Sequence, residues 1–302
     1  MLRPHFLCEL KVRPEDHPRG QRHLSAASGL VFAHDRLYLI ADDEHHLATL
    51  DFPPRAGEPV RLYRLRAGDL PHDAAARKRL KPDLEVLLAL PAPGAPLRLL
   101  ALGSGSRPNR QRGFLLDLDA AGQPQGGREL DLGPLYGQLA SQLQDLNIEG
   151  GLVCGEDLLL LARANQGQAQ NTVVGMPMIE VLRWLESGTV PSTLQVEPLD
   201  AGRVGDVPYG ITDAVALPGA GWIFSAVAEA TDDSYADGAC TGSAIGWVTA
   251  QGRVQAMHPL HGAPKVEGMA LAPGGRLLLV TDADDPKRPS QLLELRLEDV
   301  LS

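Results

Sequence analysis

The sequence predicts an all-β chain folded as one closed β-propeller over residues 1–302. Three observations carry that expectation. One strand–turn–strand plan recurs five times, the intervals between recurrences are nearly equal, and the two chain ends together supply one more interval of the same size.

The five units are ASGLVFAHDRLYLIADDEHHLATLDF, DLEVLLALPAPGAPLRLLALGSGSRPNRQRGFLLDLD, NIEGGLVCGEDLLLLARANQG, GITDAVALPGAGWIFSAVAEATDD and KVEGMALAPGGRLLLVTDADDP followed by SQLLELRL. Each opens on a small or acidic residue, runs apolar, turns at Gly, Pro, Asp or His, and makes a second, more apolar run. Short apolar runs so bounded are strands, because helices need longer periodic stretches. With Ser28, Glu85, Glu149, Asp213 and Glu267 as equivalent first-strand positions, the intervals are 57, 64, 64 and 54 residues. The 35 residues after Glu267 and the 28 up to Ser28 make a fifth interval. The count predicts five blades, with an N-terminal strand in HFLCELKV completing the last sheet. Six blades is the alternative, for which the poorly matching stretch 67–84 leaves room.

Third strands are visible in HLATLDF, GFLLDLD, SAIGWVTA and SQLLELRL, and fourth strands in PVRLYRLRA, STLQVEPLD and RVQAMHPLHG. DLPHDAAARKRLKP, residues 69–82, has helical composition and reads as a helix or loop between the first two blades, without visible chemistry. MPMIEVLRWLESGTVP, residues 176–191, fits an amphipathic helix and a third strand about equally. The repeat stays in phase across both segments, so a single domain is expected.

Composition bounds the function. A 44% hydrophobic content supports a large core, and a net charge of −10 with scattered basic residues excludes the electrostatic footprint of a nucleic-acid binder. No span of about 18 apolar residues could cross a bilayer, and the N-terminus lacks a signal-peptide apolar stretch. Three distant cysteines, Cys8, Cys154 and Cys240, suit idle thiols in a reducing compartment. The expectation is a cytoplasmic protein with no membrane or nucleic-acid partner.

In a propeller the start of strand one and the end of strand two meet at one channel mouth. That geometry pairs Glu267 with Asp282, Asp284 and Asp285, Glu149 with Arg163 and Asn165, and Asp213 with Glu229. It likewise pairs Ser28 with Asp42, Asp43 and Glu44, and Glu85 with Ser104 and Ser106. A ring of oxygen donors suits calcium or another hard divalent cation, with Glu149, Asp213 and Glu267 as its ligands. The same acids would otherwise repel one another, and Arg163 and Lys265 are the alternative compensation. Zinc fits poorly, since there is no HExxH and His45 and His46 are adjacent. The acidic loop EATDDSYADGACTG matches a calcium loop at Asp233, Asp237 and Gly238 but fails at Tyr235 and Ala244.

No serine sits in a nucleophile elbow, and GSGSRP lacks the glycines and lysine of a phosphate loop. Arg107, Arg110 and Arg112 could meet a small anionic ligand if they lean over the mouth, or form a solvated hairpin tip. His34, His45 and His46 are placed near the same face as proton-transfer candidates.

The units SGLVF, NIEGGLV, GITDAVAL and KVEGMAL, each followed by a strand of the RLLLVTDADD kind, resemble the bacterial propellers grouped as esterase-like phytase proteins and the related SdiA-regulated family. The resemblance implies a propeller with Glu149 and Glu267 at the channel mouth, a calcium ion, and phosphoester or ester hydrolysis. This chain departs from the pattern where Glu85 lacks a following glycine, where Ser28 replaces the acid, and where alanine follows Asp213.

Two functions follow. One is a metal-assisted hydrolase in which a cation on Glu149, Asp213 and Glu267 polarises a phosphoryl or acyl oxygen, Arg163 stabilises charge, and Asp282 or His45 handles the proton. The other is a non-catalytic propeller that presents its loops to a ligand or protein.

Overall fold

The computed structural model describes residues 1–90, 96–164, 170–230 and 239–302. Five four-stranded antiparallel sheets form the blades of one propeller. From the channel outward, the first blade is Ala27–Ala33, Arg36–Ala41, His46–Asp51 and Arg61–Arg64. The second is Leu84–Leu90, Arg98–Gly103, Arg112–Leu118 and Pro124–Asp131. The third is Ile148–Cys154, Asp157–Ala162, Asn171–Pro177 and Gln195–Leu199. The fourth is Gly210–Leu217, Gly221–Ala230, Ala239–Val248 and Val254–Pro259. The fifth is Val266–Ala272, Arg276–Thr281 and Gln291–Arg296, closed on its outer edge by the N-terminal strand His5–Glu9. The inner strands contact one another in a closed cycle.

Closure explains why the strands are apolar almost without interruption. Alternate side chains point to opposite faces of a sheet, and in a propeller each face packs on a different neighbouring blade. On the second strand of the second blade, Leu99 and Ala101 join the core shared with the first blade, while Leu100 and Leu102 join the core shared with the third. Five such cores fill the five junctions. A Leu100→Ala change inside one of them costs about 2–5 kcal/mol.

The stretch that left room for a sixth blade contains a short helix, Ala74–Leu80, whose Asp73 side chain accepts from the Ala76 N–H as an N-cap. Residues 176–191 resolve into the end of a third strand at Pro177 followed by a helix, Met178–Ser187. It buries Met178, Val181, Trp184 and Leu185 on one face and ends at Gly188 in the left-handed region. One helix was not foreseen: Gly133–Ala140 packs Leu135, Tyr136 and Leu139 into the core between the second and third blades.

Candidate functional site at the channel mouth

Every inner strand carries a bulge near its start. The register with the second strand shifts between Ala27 and Gly29, Leu84 and Val86, Ile148 and Gly150, Ile211 and Asp213, and Val266 and Gly268. The residues skipped are Ser28, Glu85, Glu149, Thr212 and Glu267, and these five are the equivalent ring positions. A bulge leaves its extra residue unpaired and re-aims the side chain. The glycine that follows in three blades is required by close approach. A Cβ on Gly150 would lie 2.7 Å from Asp213 Cα, and one on Gly268 would lie 3.0 Å from Gly29 Cα.

Thr212 therefore takes the place expected for Asp213. The Thr212 hydroxyl donates to the Val266 carbonyl at 2.7 Å, just as Ser28 donates to the Leu84 carbonyl, so the hydroxyl members of the ring tie each blade to the next. Asp213, one residue on, accepts from the Met269 N–H at 2.8 Å. Burial pushes its carboxyl well above the usual range, against the pull of backbone donors at Met269, Ala214 and Gly151. Asp213 is a junction between three blades, and Glu229, its expected partner, faces Arg163 and Lys265 instead.

The pairing of strand starts with strand ends holds elsewhere. The N–H groups of Asp42, Ser104, Arg163 and Asp282 donate to the carbonyls of Ala26, Asp83, Asn147 and Lys265, each two residues before a ring position. Side chains at these two sets of positions build two charged networks at one mouth.

The first network spans the third, fourth and fifth blades. Arg163 lies 3.3 Å from Glu149, 3.0 Å from Glu229 and 3.9 Å from Glu267. Lys265 lies 3.0 Å from Glu229, 3.5 Å from Glu267 and 2.6 Å from Asp284, with Asp282 at 3.9 Å. Asn147 donates to Glu149 at 2.6 Å. Burial pushes Glu267 up to about 8 and Asp282 to about 6, with Lys265 opposing both. Burial likewise raises Glu149 against the charge of Arg163. The basic groups thus supply the compensation for the ring acids that the sequence offered as an alternative to a cation.

The second network joins the first two blades. Lys81 bridges Asp42 and Asp83, lying 2.8 Å from Asp83 Oδ1. Asp83 Oδ2 accepts from Arg110 at 2.7 Å and from the Ser104 hydroxyl. Glu85 is 8% exposed and engages in no hydrogen bond or ion pair among the described residues. Burial, together with the charges of Glu149, Asp83 and Asp42, raises its carboxyl well above the usual range against the pull of Lys81. Burial lifts Asp42 to about 7 against the pull of Lys81. One oxygen each from Asp42, Asp83 and Glu85 lies within 4.8 Å of the others, spacing that admits a metal ion.

Asp42 and Lys81 of this cluster line a cleft of about 200 Å³ whose walls also include Asp43, Arg77, Asp282 and Asp284, whereas Asp83 and Glu85 lie outside its walls. Arg77 is held by Asp43 at 2.8 Å and by the carbonyls of Pro71 and His72. Behind it, Glu44 accepts from His17 at 2.9 Å and Arg19 at 2.6 Å. Burial acts to raise Glu44, but the hydrogen bonds of His17 and His46 and the charge of Arg19 hold it down at about 2.

Several expected placements differ. His45 lies outside the walls of the cleft, with its Nδ1 3.1 Å from the Gly68 carbonyl, and burial lowers its pKa. His34 sits in the turn from Ala33 to Arg36, the strand end opposite the mouth. Arg110 is buried against Asp83 rather than exposed at a hairpin tip. Asn165 and residues 231–238, with Asp233, Tyr235, Asp237 and Gly238 of the acidic loop, lie outside the described residues. Lys81, Asp83 and Arg77 were not foreseen. Their only sequence signal is that Lys81 and Asp83 stand four and two residues before Glu85, as Lys265 stands two before Glu267.

The fold and this site define a five-bladed propeller with a densely charged channel mouth. The chain belongs to a family of unknown function, DUF6929, whose match covers residues 23–297. No functionally curated protein matches it. Among solved structures it is similar to glutaminyl cyclase from Myxococcus xanthus, with TM-score 0.50 and 13% identity over 97% of this chain and 96% of that one. It also resembles the native arabinanase Arb43A of Bacillus subtilis, with TM-score 0.47 and 11% identity over 92% and 96% of the two chains. Streptogramin B lyase gives TM-score 0.45 and 10% identity over 96% and 97%. At such identities the likeness speaks to the fold.

Proposed function

We propose that the channel mouth is the active site of a hydrolase acting on small phosphoesters or esters with the help of a divalent cation. The observation that carries this reading is Glu85, a buried carboxyl with no hydrogen bond or ion pair among the described residues, which has an oxygen within 4.8 Å of one from Asp42 and one from Asp83, Asp42 itself lining the cleft. Three oxygen donors from three carboxylates fit a hard cation such as calcium, whereas Glu149 and Glu267 have Arg163 and Lys265 as partners. A cation on Asp42, Asp83 and Glu85 would supply Lewis-acid polarisation of a phosphoryl or acyl oxygen.

The chain's own groups have complementary tasks. Asp282, raised to about 6 and facing the same cleft, is protonated in part near neutrality, and in that form can pass the proton to a leaving alkoxide. Arg163 already faces three carboxylates, so it fixes the positions of Glu149 and Glu267 rather than receiving developing charge. The resemblance of the Glu-Gly steps to esterase-like phytase propellers supports the same reaction class. Three free thiols agree with a cytoplasmic setting. Among the described residues, no helix is long and apolar enough to cross a membrane.

The engagement of Arg77, Arg110 and Arg163 with carboxylates favours one alternative, a non-catalytic platform that binds a cationic ligand. The two separate in a hydrolysis assay on aryl phosphates and acyl esters, run in calcium and in chelator. The hydrolase reading expects calcium-dependent turnover that Glu85→Gln abolishes. Turnover indifferent to chelator, or calcium binding without turnover on any ester, would overturn it.

A further inference from the structure

We propose that Lys81 is the resident cation of the Asp42, Asp83 and Glu85 site, and that a divalent metal ion binds there by replacing it. The inference rests on the cation reading above and adds how that site is regulated. Lys81 forms ion pairs with two of the three carboxylates, while the third, Glu85, feels its charge but has no direct hydrogen bond or ion pair among the described residues. One ammonium therefore serves a cluster with room for a doubly charged ion. Asp83 is prepared for the exchange. Its Oδ2 is fixed by Arg110 and Ser104, while the Oδ1 that faces Lys81 is the atom an incoming ion would take.

Simultaneous occupancy is excluded by distance. An ion bonded to these oxygens at about 2.3–2.6 Å would lie within a few ångströms of an ammonium 2.8 Å from Asp83 Oδ1, and like charges so close repel strongly. The Lys81 side chain is 14% exposed and lines the cleft, at the C-cap of a short helix whose one buried residue is Arg77, so its ammonium can swing along the cleft without moving the helix. The ammonium also has somewhere to go, because Lys81 shares the cleft with Asp282, Asp284 and Asp285. Metal entry then moves a positive charge from the metal site to the acid that handles the proton, coupling the two ends of the cleft.

The test uses the wild-type chain. Surface amines are pulse-labelled with an acetylating reagent at increasing calcium chloride, and the modification of Lys81 is read by mass spectrometry. The proposal expects Lys81 labelling to rise several-fold, with the same midpoint as the calcium-induced shift in melting temperature. Calcium binding with unchanged Lys81 labelling would overturn it. In calorimetry, Lys81→Met should bind calcium about tenfold more tightly than wild type, because the internal competitor is gone, and equal or weaker binding would count against replacement. Failure of calcium, magnesium and manganese to bind either protein at millimolar concentration would sink the proposal as well. Replacement of Lys81 without ester turnover would remove the hydrolase reading alone, and cation-stimulated turnover with Lys81 labelling unchanged would remove the replacement alone.

Discussion

Asp213 Oδ2 accepts a hydrogen bond from the Met269 N–H at 2.8 Å, which joins the fourth blade to the fifth across the ring. The carboxylate that the repeat pattern offered as a metal ligand is thus a structural junction. Replacing it by asparagine keeps the shape but substitutes an amide nitrogen for one acceptor oxygen among backbone donors. Asp213→Asn should therefore destabilise the fold by about 1–3 kcal/mol in chemical denaturation and leave calcium affinity unchanged. A weakened calcium affinity at unchanged stability would return Asp213 to the metal shell.

Ring closure through the N-terminus makes a second prediction. His5–Glu9 pairs with Gln291–Glu294, and Leu10 and Val12 are buried in the core between the fifth and first blades. Removing residues 1–12 exposes a strand edge and empties part of that core. The truncated chain should melt at a distinctly lower temperature, and an unchanged melting temperature would show that the closure contributes nothing.

The pH dependence follows from Glu267. Its ordinary value of 4.5 applies to the unfolded chain, and burial lifts it to about 8 in the folded one against the pull of Lys265 and Arg163. Between these values the folded chain retains a proton that the unfolded chain has released. Stability from this group is fully present below about 4.5, falls as pH rises through the window, and levels off above 8, at no more than about 1.4 kcal/mol per pH unit. Glu267→Gln mimics the protonated form. Its melting temperature should match wild type at pH 5 and exceed it at pH 8.5, whereas a deficit at pH 8.5 would mean that the ionised carboxylate is a net stabilising partner of Lys265.

Arg163 supports a fourth prediction. Three carboxylates converge on one guanidinium, and removing the cation from a buried cluster typically costs about 3–5 kcal/mol. Arg163→Met should show a loss of that size at pH 8 and recover part of it at pH 5, where Glu149 and Glu267 can take up protons. A loss that does not vary with pH would assign the effect to packing.

The five-fold repeat, the outer N-terminal strand and the meeting of strand starts with strand ends were legible in the sequence, because they depend on apolar periodicity and interval alone. The offset in GITDAV was not. Thr212 and Asp213 are adjacent, and only the bulge between Ile211 and Asp213 decides which of them joins the ring. Lys81 was hidden for a different reason. It lies in a segment of helical composition with no repeat partner, and its charge gains meaning only when closure of the first two blades sets it against Asp42 and Asp83. Arg110 looked like a surface residue among polar neighbours, and its burial likewise depends on Asp83.

The central claim is that a divalent cation belongs to Asp42, Asp83 and Glu85 rather than to the ring acids Glu149 and Glu267. Crystals equilibrated with manganese and measured at a wavelength where it scatters anomalously test this most directly. The account predicts one anomalous peak within roughly 2.6 Å of an oxygen of each of the three carboxylates, with the Lys81 ammonium moved towards Asp282. A peak between Glu149 and Glu267, or no peak with Lys81 still bridging Asp42 and Asp83, would contradict it.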